Sequence, residues 1–248
     1  MCRLLGVASR CPDPIPNLLA DDLLAFTELS GVHCDGWGLA YWNAADDLVS
    51  AKHPEPARGS ERFQRAVSRA TTDIALLHLR KASANMANSM ANTHPFVAGS
   101  VAFAHNGYLS PLTELDELVR QSGARPSSGG TDSERYFQLV LAELRRAGPV
   151  EALHRAANRI EQVTDALSLN CLLLTHDALF AMARYDEKLI LADGGEVNSY
   201  VLRYRDDSET VVVASAGWAQ PEPWQALANH QILQVRRGDL RTSVHTLP

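Results

Sequence analysis

The amino-acid sequence predicts an α+β protein in which two β-sheets pack face to face and helices cover the outside. At least nine apolar segments have the length of a strand, and five longer segments repeat apolar residues at helical spacing. The two kinds of segment do not alternate, because helical segments cluster between groups of strands. The length of 248 residues, without a repeat or an obvious linker, predicts one domain over residues 1–248.

The apolar segments assign each element in order along the chain. The predicted strands are residues 4–8, 37–42, 74–79, 101–104, 171–175, 179–183, 200–204, 211–214 and 232–235. The predicted helices are residues 17–29, 60–70, 111–121, 132–147 and 150–163. In the third of these, Leu112, Leu115, Leu118 and Val119 form one apolar stripe.

The charge balance disfavours a nucleic acid as partner. The chain has 29 acidic residues against 23 Lys and Arg, a formal net charge of -6, which does not suit binding to a phosphate backbone. No run approaches the roughly 18 consecutive apolar residues of a transmembrane helix, and the N-terminus lacks the order of a secretory signal. We therefore expect no membrane association and a cytoplasmic location.

The cysteines predict neither a disulfide framework nor a metal site. The four are few and widely separated, and no Cys or His pair has zinc-ligand spacing. We expect no metal and no other cofactor, so each thiol is considered singly.

Cys2 is the most informative of these thiols. A small residue at position 2 permits removal of Met1, which would leave a thiol and a free α-amine on one residue. An α-amine has a pKa of about 7.7–8.0, so near neutral pH part of it can accept the thiol proton. Cys2 is therefore a candidate nucleophile with its own base, although a small residue here also suits the start of a buried strand.

A long segment without charge marks a second region of interest. Residues 82–113 contain no Asp, Glu, Lys or Arg, yet they include several Asn and His residues. Such a segment could form a pocket wall that offers hydrogen bonds without fixed charge. It could equally be a neutral surface loop that leads into a core strand.

Polar clusters follow two predicted strands. Arg80 follows one strand, and Asn106 with Gly107 follows another. An Asn amide beside a glycine N–H suits an oxyanion hole, since the glycine lets the chain approach closely. Asp132 begins a helical segment and could hold a substrate cation, but an Asp there is also an ordinary helix N-cap.

Several short motifs together resemble the class II glutamine amidotransferase domains, which belong to the N-terminal nucleophile hydrolases. They occur in the family's order across residues 1–134, and the strands near residues 169–174 and 211–215 agree more loosely. The motifs are Met1-Cys2-Arg3-Leu4-Leu5-Gly6, Asp35-Gly36-Trp37-Gly38, His78-Leu79-Arg80, Asn92-Thr93-His94-Pro95-Phe96, His105-Asn106-Gly107 and Thr131-Asp132-Ser133-Glu134.

The resemblance implies a four-layer αββα sandwich and a cysteine-dependent cleavage of a γ-glutamyl amide through a thioester. By this likeness Cys2 is the nucleophile, and its α-amine is the base. Arg80 resembles the residue that binds the α-carboxylate of a glutamyl group, as a planar guanidinium can do with two hydrogen bonds. Asp132 resembles the partner of the α-ammonium group.

The resemblance also assigns the remaining site residues. Asn106 and Gly107 resemble the oxyanion hole, and His94 resembles a histidine of the pocket wall. One departure lies after Arg80, where Lys81-Ala82-Ser83 replaces the Trp-Ala-Thr of large synthases. Another follows Ser215, where many short, standalone relatives have an acidic residue before Pro-Leu.

We expect a small-molecule γ-glutamyl substrate and hydrolysis as the reaction, as in the standalone hydrolases of ergothioneine assembly. The leaving group would be set by residues 82–96 and by a loop over residues 218–224, unless that loop is only a surface anchor. A second hypothesis is a glutaminase subunit that supplies ammonia to a separate synthase. A third is a non-enzymatic glutamyl-binding module that retains Met1. A homodimer is compatible with each of them.

Overall fold

The computed structural model describes residues 2–83 and 86–247. Met1 and Asn85 lie outside the described residues, as do Ala84 and Pro248. The predicted removal of Met1 and the Asn85 part of the predicted pocket wall therefore fall outside this description.

The described strands form two antiparallel sheets. The first has the order β11-β9-β10-β1-β4-β2-β3 and the second the order β13-β12-β8-β7-β6-β5. The strands are β1 (Arg3–Pro14), β2 (Gly36–Trp42), β3 (Leu48–His53), β4 (Thr71–Arg80), β5 (Phe96–Ala98), β6 (Val101–Ser110), β7 (Asp165–Leu174), β8 (Ala178–Ala183), β9 (Leu202–Asp206), β10 (Thr210–Ser215), β11 (Gln225–Ala226), β12 (Gln231–Arg236) and β13 (Thr242–Thr246).

Helices cover the outer face of each sheet. They are α1 (Ile15–Leu19), α2 (Asp21–Glu28), α3 (Glu61–Arg69), α4 (Leu112–Gln121), α5 (Asp132–Leu144), α6 (Pro149–Glu161) and α7 (Glu187–Ala192). Helices α1 to α3 pack on the first sheet, and α4 to α6 pack on the second. The two sheets face each other across a third core. The predicted α+β class and four-layer αββα arrangement are confirmed.

Alternation along each strand decides which layer a side chain enters. On β4, Leu76 faces the inter-sheet core and Leu77 faces the helices. On β6, Ala104 faces the inter-sheet core while Phe103 faces α5 and α6. By the same alternation, Arg80 on β4 and Asn106 on β6 face the space between the two sheets.

Three differences from the predicted elements have physical reasons. The helix predicted over residues 17–29 is broken at Ala20, whose φ of 45° is left-handed. Strands β3, β5, β11 and β13 and helix α7 were not predicted, since they are short or only half-buried. Finally, β6 continues to Ser110, so Asn106 and Gly107 lie within the strand and not after it.

Candidate active site

The first sheet brings Cys2 beside Arg80. Strand β1 lies between β10 and β4, and its register pairs Arg3 with Leu79. Continuing that antiparallel register by one position places Cys2 opposite Arg80. On the other side of β4, Gly36 pairs with Arg80. Since Leu4 and Leu76 face the second sheet, Cys2 and Arg80 face it too.

The Cys2 thiol is partly buried at the end of its sheet. Its Sγ lies 3.7 Å from the carbonyl oxygen of Lys81. Burial raises the pKa of the Cys2 thiol, and the Asp132 carboxylate adds to the rise, while a backbone hydrogen bond at Lys81 and the charge of Arg80 oppose it. Unaided, this thiol is protonated near neutral pH, so it needs a base before it can attack.

Arg80 is buried, and a neighbouring loop occupies its hydrogen-bonding groups. It is 3% exposed. Its Nη1 donates to Oδ1 of Asn88 over 2.9 Å, and its Nη2 donates to the carbonyl of Ala87 over 3.3 Å. Burial lowers the pKa of the guanidinium, while Cys2 and Asp35 oppose that effect. Arg80 is thus a desolvated cation beside the thiol, held by neutral acceptors that an anion could replace.

The loop that covers Arg80 belongs to the charge-free segment. Asn92 donates through Nδ2 to the carbonyl of Ala87 over 2.9 Å. Its Oδ1 accepts from the backbone N–H of Gly130, also over 2.9 Å. The described part of this segment therefore packs over Arg80 and joins it to the loop before α5. These contacts favour the pocket-wall interpretation over that of a simple surface loop.

Asn106 lies on β6 and faces the first sheet. Its side chain is fully buried. Neither Nδ2 nor Oδ1 has a hydrogen-bond partner within residues 2–83 and 86–247. A buried amide without partners costs about 1–3 kcal/mol for each unsatisfied group. Such a cost is tolerated where a ligand supplies the missing partner.

Gly107 presents its backbone N–H on an open edge of β6. In an antiparallel strand, successive residues point their backbone groups to opposite neighbours. Phe103 pairs with β5, and the carbonyl of His105 accepts from Nε2 of His78 over 3.3 Å. The N–H of Gly107 points to that same edge, beyond Phe96, the β5 residue nearest to Gly107 along β6. An N–H and a buried amide therefore adjoin there.

Asp132 is attached to that same edge. Its Oδ2 accepts from the N–H of Leu109 over 2.8 Å, and its Oδ1 accepts from the N–H of Ser133 over 2.7 Å. The N-cap of α5 is Thr131, whose side chain accepts from the N–H of Glu134. The alternative that Asp132 is an N-cap is therefore wrong. A carboxylate has about four acceptor positions, which leaves capacity for a cation.

His94 packs against two other rings near Arg80. Its ring centroid lies 4.1 Å from that of His78 and 4.6 Å from that of Phe96. Burial lowers the pKa of His94 well below its usual value, and the neighbouring His78 contributes. The ring is neutral, and neither of its nitrogens has a partner among the described residues. Its assignment to substrate binding stays a prediction.

Two contacts at the site were not predicted. Oγ of Ser215 accepts from the N–H of Leu4 over 3.0 Å and so fixes the start of β1. Oδ2 of Asp35 accepts from the N–H of Ala82 over 2.8 Å and fixes the chain after Arg80. The Asp35-Gly36-Trp37-Gly38 motif indicates the importance of Asp35, but neither side chain has a partner that the sequence pattern predicts.

The loop near Trp218 is an anchor between chain segments. Nε1 of Trp218 donates to Oδ1 of Asp22 over 3.2 Å. Its ring packs edge-on against Phe26 and Trp224. These contacts lie on the helical face of the first sheet, so they favour the surface-anchor alternative for residues 218–224.

The described residues also bear on metal binding and on membrane insertion. No group of three or more His, Cys, Asp or Glu side chains among them is arranged to hold a metal ion. None of the helices they form is long and apolar enough to cross a bilayer.

Comparison with known sequences gives one family and several curated relatives. The family model "Glutamine amidotransferases class-II" matches residues 1–247. A probable glutamine amidotransferase of Saccharomyces cerevisiae is 27% identical over 168 residues, which is 60% of this chain and 47% of that protein. The isomerizing glutamine–fructose-6-phosphate aminotransferase of Caulobacter vibrioides is 28% identical over 201 residues, 78% of this chain and 30% of that enzyme. The chain thus spans less than half the length of these relatives.

Comparison with solved structures gives the same fold. A glutamine aminotransferase class-II domain protein from Silicibacter pomeroyi aligns over 100% of both chains, with a TM-score of 0.71 and 18% identity. The glutamine phosphoribosylpyrophosphate amidotransferase of B. subtilis aligns over 98% of this chain and 49% of its own, with a TM-score of 0.65 and 17% identity. At these identities the likeness establishes the fold alone.

Proposed function

The chain belongs to the class-II glutamine amidotransferases, whose family model covers residues 1–247, and from this premise we propose that it hydrolyses a γ-glutamyl amide with Cys2 as nucleophile. It is an enzyme of the amidohydrolase and amidotransferase type. Glutamine hydrolysis of the class-II kind is the general reaction. The non-enzymatic module is therefore set aside. An N-substituted γ-glutamyl compound as preferred substrate, and a cytoplasmic location, are parts of the proposal.

Removal of Met1 activates the nucleophile. The free α-amine of Cys2 then takes the thiol proton, directly or through a water molecule. The raised pKa of the thiol supports this step, because a thiol that ionised by itself would need no base. The charge of Arg80 favours the thiolate once it has formed.

Arg80 and Asp132 orient the glutamyl group. The α-carboxylate replaces Asn88 and Ala87 at the guanidinium, and the α-ammonium binds the Asp132 carboxylate. Because Cys2 lies opposite Arg80 and feels the charge of Asp132, both ends of the amino-acid head group are held near the thiolate. The γ-carbonyl then lies within reach of Sγ.

The reaction passes through a thioester. Sγ bonds to the carbonyl carbon of the γ-glutamyl amide, the carbonyl π electrons move to oxygen, and Asn106 Nδ2 and the Gly107 N–H stabilise the oxyanion. The C–N bond breaks as the leaving nitrogen takes the proton held by the α-amine. Water then attacks the thioester while the α-amine takes its proton, and the C–S bond breaks as that proton returns to Sγ. The products are glutamate and the free amine or ammonia, with the Cys2 thiol restored.

The Asn106 amide, which has no hydrogen-bond partner among the described residues, is the single observation that carries this proposal. It is a buried donor beside a glycine N–H, and it faces the sheet that carries Cys2 and Arg80. A purely structural asparagine would be hydrogen-bonded. An oxyanion formed during catalysis supplies the missing acceptor.

The test is a measurement of intact mass before and after exposure to a diazoketone analogue of glutamine. We expect a chain without Met1 that gains one adduct at Cys2, and hydrolysis of glutamine that Cys2→Ala abolishes. Cys34→Ala is the matched control, because Cys34 is an exposed free thiol that the mechanism does not use. It should label and turn over like wild type. A trimmed chain that forms no adduct at Cys2 would contradict the proposal.

The likeness to the C. vibrioides aminotransferase favours a second candidate, a glutaminase subunit that supplies ammonia to a separate synthase. The two share the first half-reaction and differ in the leaving group. Under the first, the purified chain hydrolyses γ-glutamyl anilide readily. Under the second, glutamine turnover stays weak until a partner protein is added.

A further inference from the structure

His105 lies one residue before Asn106, and the mechanism above does not use it. Its side chain follows Phe103 on the helical face of β6, and it is 1% exposed. The ring packs edge-on against Tyr136 of α5, with centroids 5.4 Å apart. The ring therefore lies behind the oxyanion strand, away from the substrate.

Both nitrogens of this ring have partners. Nε2 lies 2.9 Å from the carbonyl oxygen of Ser168, and Nδ1 lies 2.9 Å from Oγ of Ser133. A carbonyl only accepts, so Nε2 carries the proton and donates. Burial lowers the pKa of His105 and keeps the ring neutral. Nδ1 then accepts the hydroxyl proton of Ser133.

The first partner bears on Gly107. A Cβ built on Gly107 would lie 2.4 Å from His105 Nε2 and 1.8 Å from the Ser168 carbonyl oxygen. The hydrogen bond between His105 and Ser168 therefore occupies the space that a side chain at position 107 would need. The same bond fixes the distance between β7 and the backbone of Gly107, whose N–H is assigned to the oxyanion.

The second partner bears on Asp132. Oγ of Ser133 also lies 3.2 Å from Oδ1 of Asp132, but a hydroxyl has one proton to donate. When that proton goes to His105, the Asp132 oxygen keeps its acceptor position for a substrate ammonium. Without the His105 acceptor, the hydroxyl would turn to Asp132 and compete with the substrate.

We propose that His105 is a positioning residue that sets two substrate contacts from behind: the oxyanion donor at Gly107 through Ser168, and the ammonium-binding oxygen of Asp132 through Ser133. The inference rests on the proposed function. It predicts that the two sides separate kinetically, since the Gly107 side acts on kcat and the Asp132 side acts on KM.

The experiment compares variants with glutamine as substrate. His105→Leu removes both hydrogen bonds and should lower kcat by about tenfold to a hundredfold, as misplacement of reacting groups does, and should also raise KM. His105→Gln can still donate toward Ser168 and should recover most of kcat but not KM. Ser133→Ala added to His105→Gln removes the hydroxyl that would turn to Asp132, so the double variant should bring KM back toward wild type, with kcat within about twofold of His105→Gln.

Tyr136→Phe is the matched control. Tyr136 is fully buried against the same ring, but its hydroxyl contacts Leu169 and Cys171 and not His105. This variant should lower the thermal midpoint and leave kcat and KM at wild-type values. If His105→Leu does not fold, His105→Gln, alone and combined with Ser133→Ala, still tests the two sides separately.

Failure of the positioning role and failure of the proposed function give different results. If wild type hydrolyses glutamine but the His105 and Ser133 variants change only thermal stability, as the control does, the positioning role is wrong and the proposed function stands. If wild type neither hydrolyses glutamine nor reacts with the diazoketone, the proposed function fails, and this inference fails with it.

Discussion

Two asparagines face each other across strands β6 and β7, and they differ in one respect. Asn106 pairs with Asn170 in the register, and both are fully buried. Asn170 donates through Nδ2 to the carbonyl of Tyr200 over 2.5 Å, and its Oδ1 accepts from the N–H of Arg184 over 2.7 Å. Asn106 has neither kind of partner within the described chain.

The difference separates a structural polar group from one kept free for substrate. Asn170 joins β7 to two other segments, so its cost of burial is offset by hydrogen bonds. For Asn106, no hydrogen bond among the described residues offsets the free-energy cost of burying the amide. The two paired asparagines therefore allow a direct test. Substitution of Asn106 should reduce turnover, and substitution of Asn170 should reduce stability.

The largest effect is expected for Asn106→Ala. Loss of an oxyanion donor typically lowers kcat by about 10²–10³-fold, and we expect a loss of that order for glutamine hydrolysis. The free energy of unfolding should stay within about 1 kcal/mol of wild type, because the deleted amide makes no hydrogen bond in the fold. Steady-state kinetics and denaturant unfolding measure the two quantities.

The result for Asn106→Ala is to be compared with that for Asn170→Ala. Wild-type kcat for Asn106→Ala would remove the oxyanion assignment. A large loss of stability would mean that the amide has a structural partner.

Asn170→Ala should show the reverse. It leaves the Arg184 N–H and the Tyr200 carbonyl buried without partners, which costs about 2–4 kcal/mol of unfolding free energy. The folded fraction should keep its kcat and KM within about twofold. If Asn170→Ala instead lost activity while keeping stability, the division between the two asparagines would be wrong.

The sequence alone could not have separated these two residues. Asn106 comes just after an apolar run and Asn170 comes just before one. The partners of Asn170 are backbone groups 30 and 14 residues away. Only the closing of the second sheet brings those groups to one side chain. The glycine after Asn106 indicates an oxyanion role for its amide. The sequence does not predict that this amide lacks hydrogen-bond partners among the described residues.

The extent of β6 was missed for a related reason. The apolar run ends at Ala104, so the strand was expected to end there, yet it continues to Ser110. The strand continues because Ser168 and Ser133 bond to the His105 side chain, and Asp132 accepts from the backbone N–H of Leu109. Apolar periodicity predicts the layers of this fold well. It cannot predict that a strand continues through polar residues, because the contacts that stabilise this part of β6 come from distant parts of the sequence.

Arg80→Lys sharpens the comparison on the first sheet, where a buried group has partners that substrate can replace. A lysine cannot bind a carboxylate in the bidentate manner of a guanidinium, so KM for glutamine should rise about tenfold, with kcat less affected. 4-Aminobutanamide, which lacks the α-carboxylate, is the control substrate. Wild type and Arg80→Lys should cleave it at similar kcat/KM, and an unequal loss there would refute the carboxylate contact.

Asn88 tests the smallest effect, the competition between a loop acceptor and the substrate for Arg80. Its Oδ1 accepts from Nη1 of the guanidinium over 2.9 Å. Removing it in Asn88→Ala should lower KM by about twofold to threefold, since a net hydrogen bond near the surface contributes only about 0.5–1 kcal/mol. Asn88→Asp places a carboxylate on the guanidinium and should raise KM instead. Opposite shifts in KM at unchanged kcat would show that Asn88 occupies the substrate's position, whereas equal shifts would show that the loop affects binding by its conformation alone.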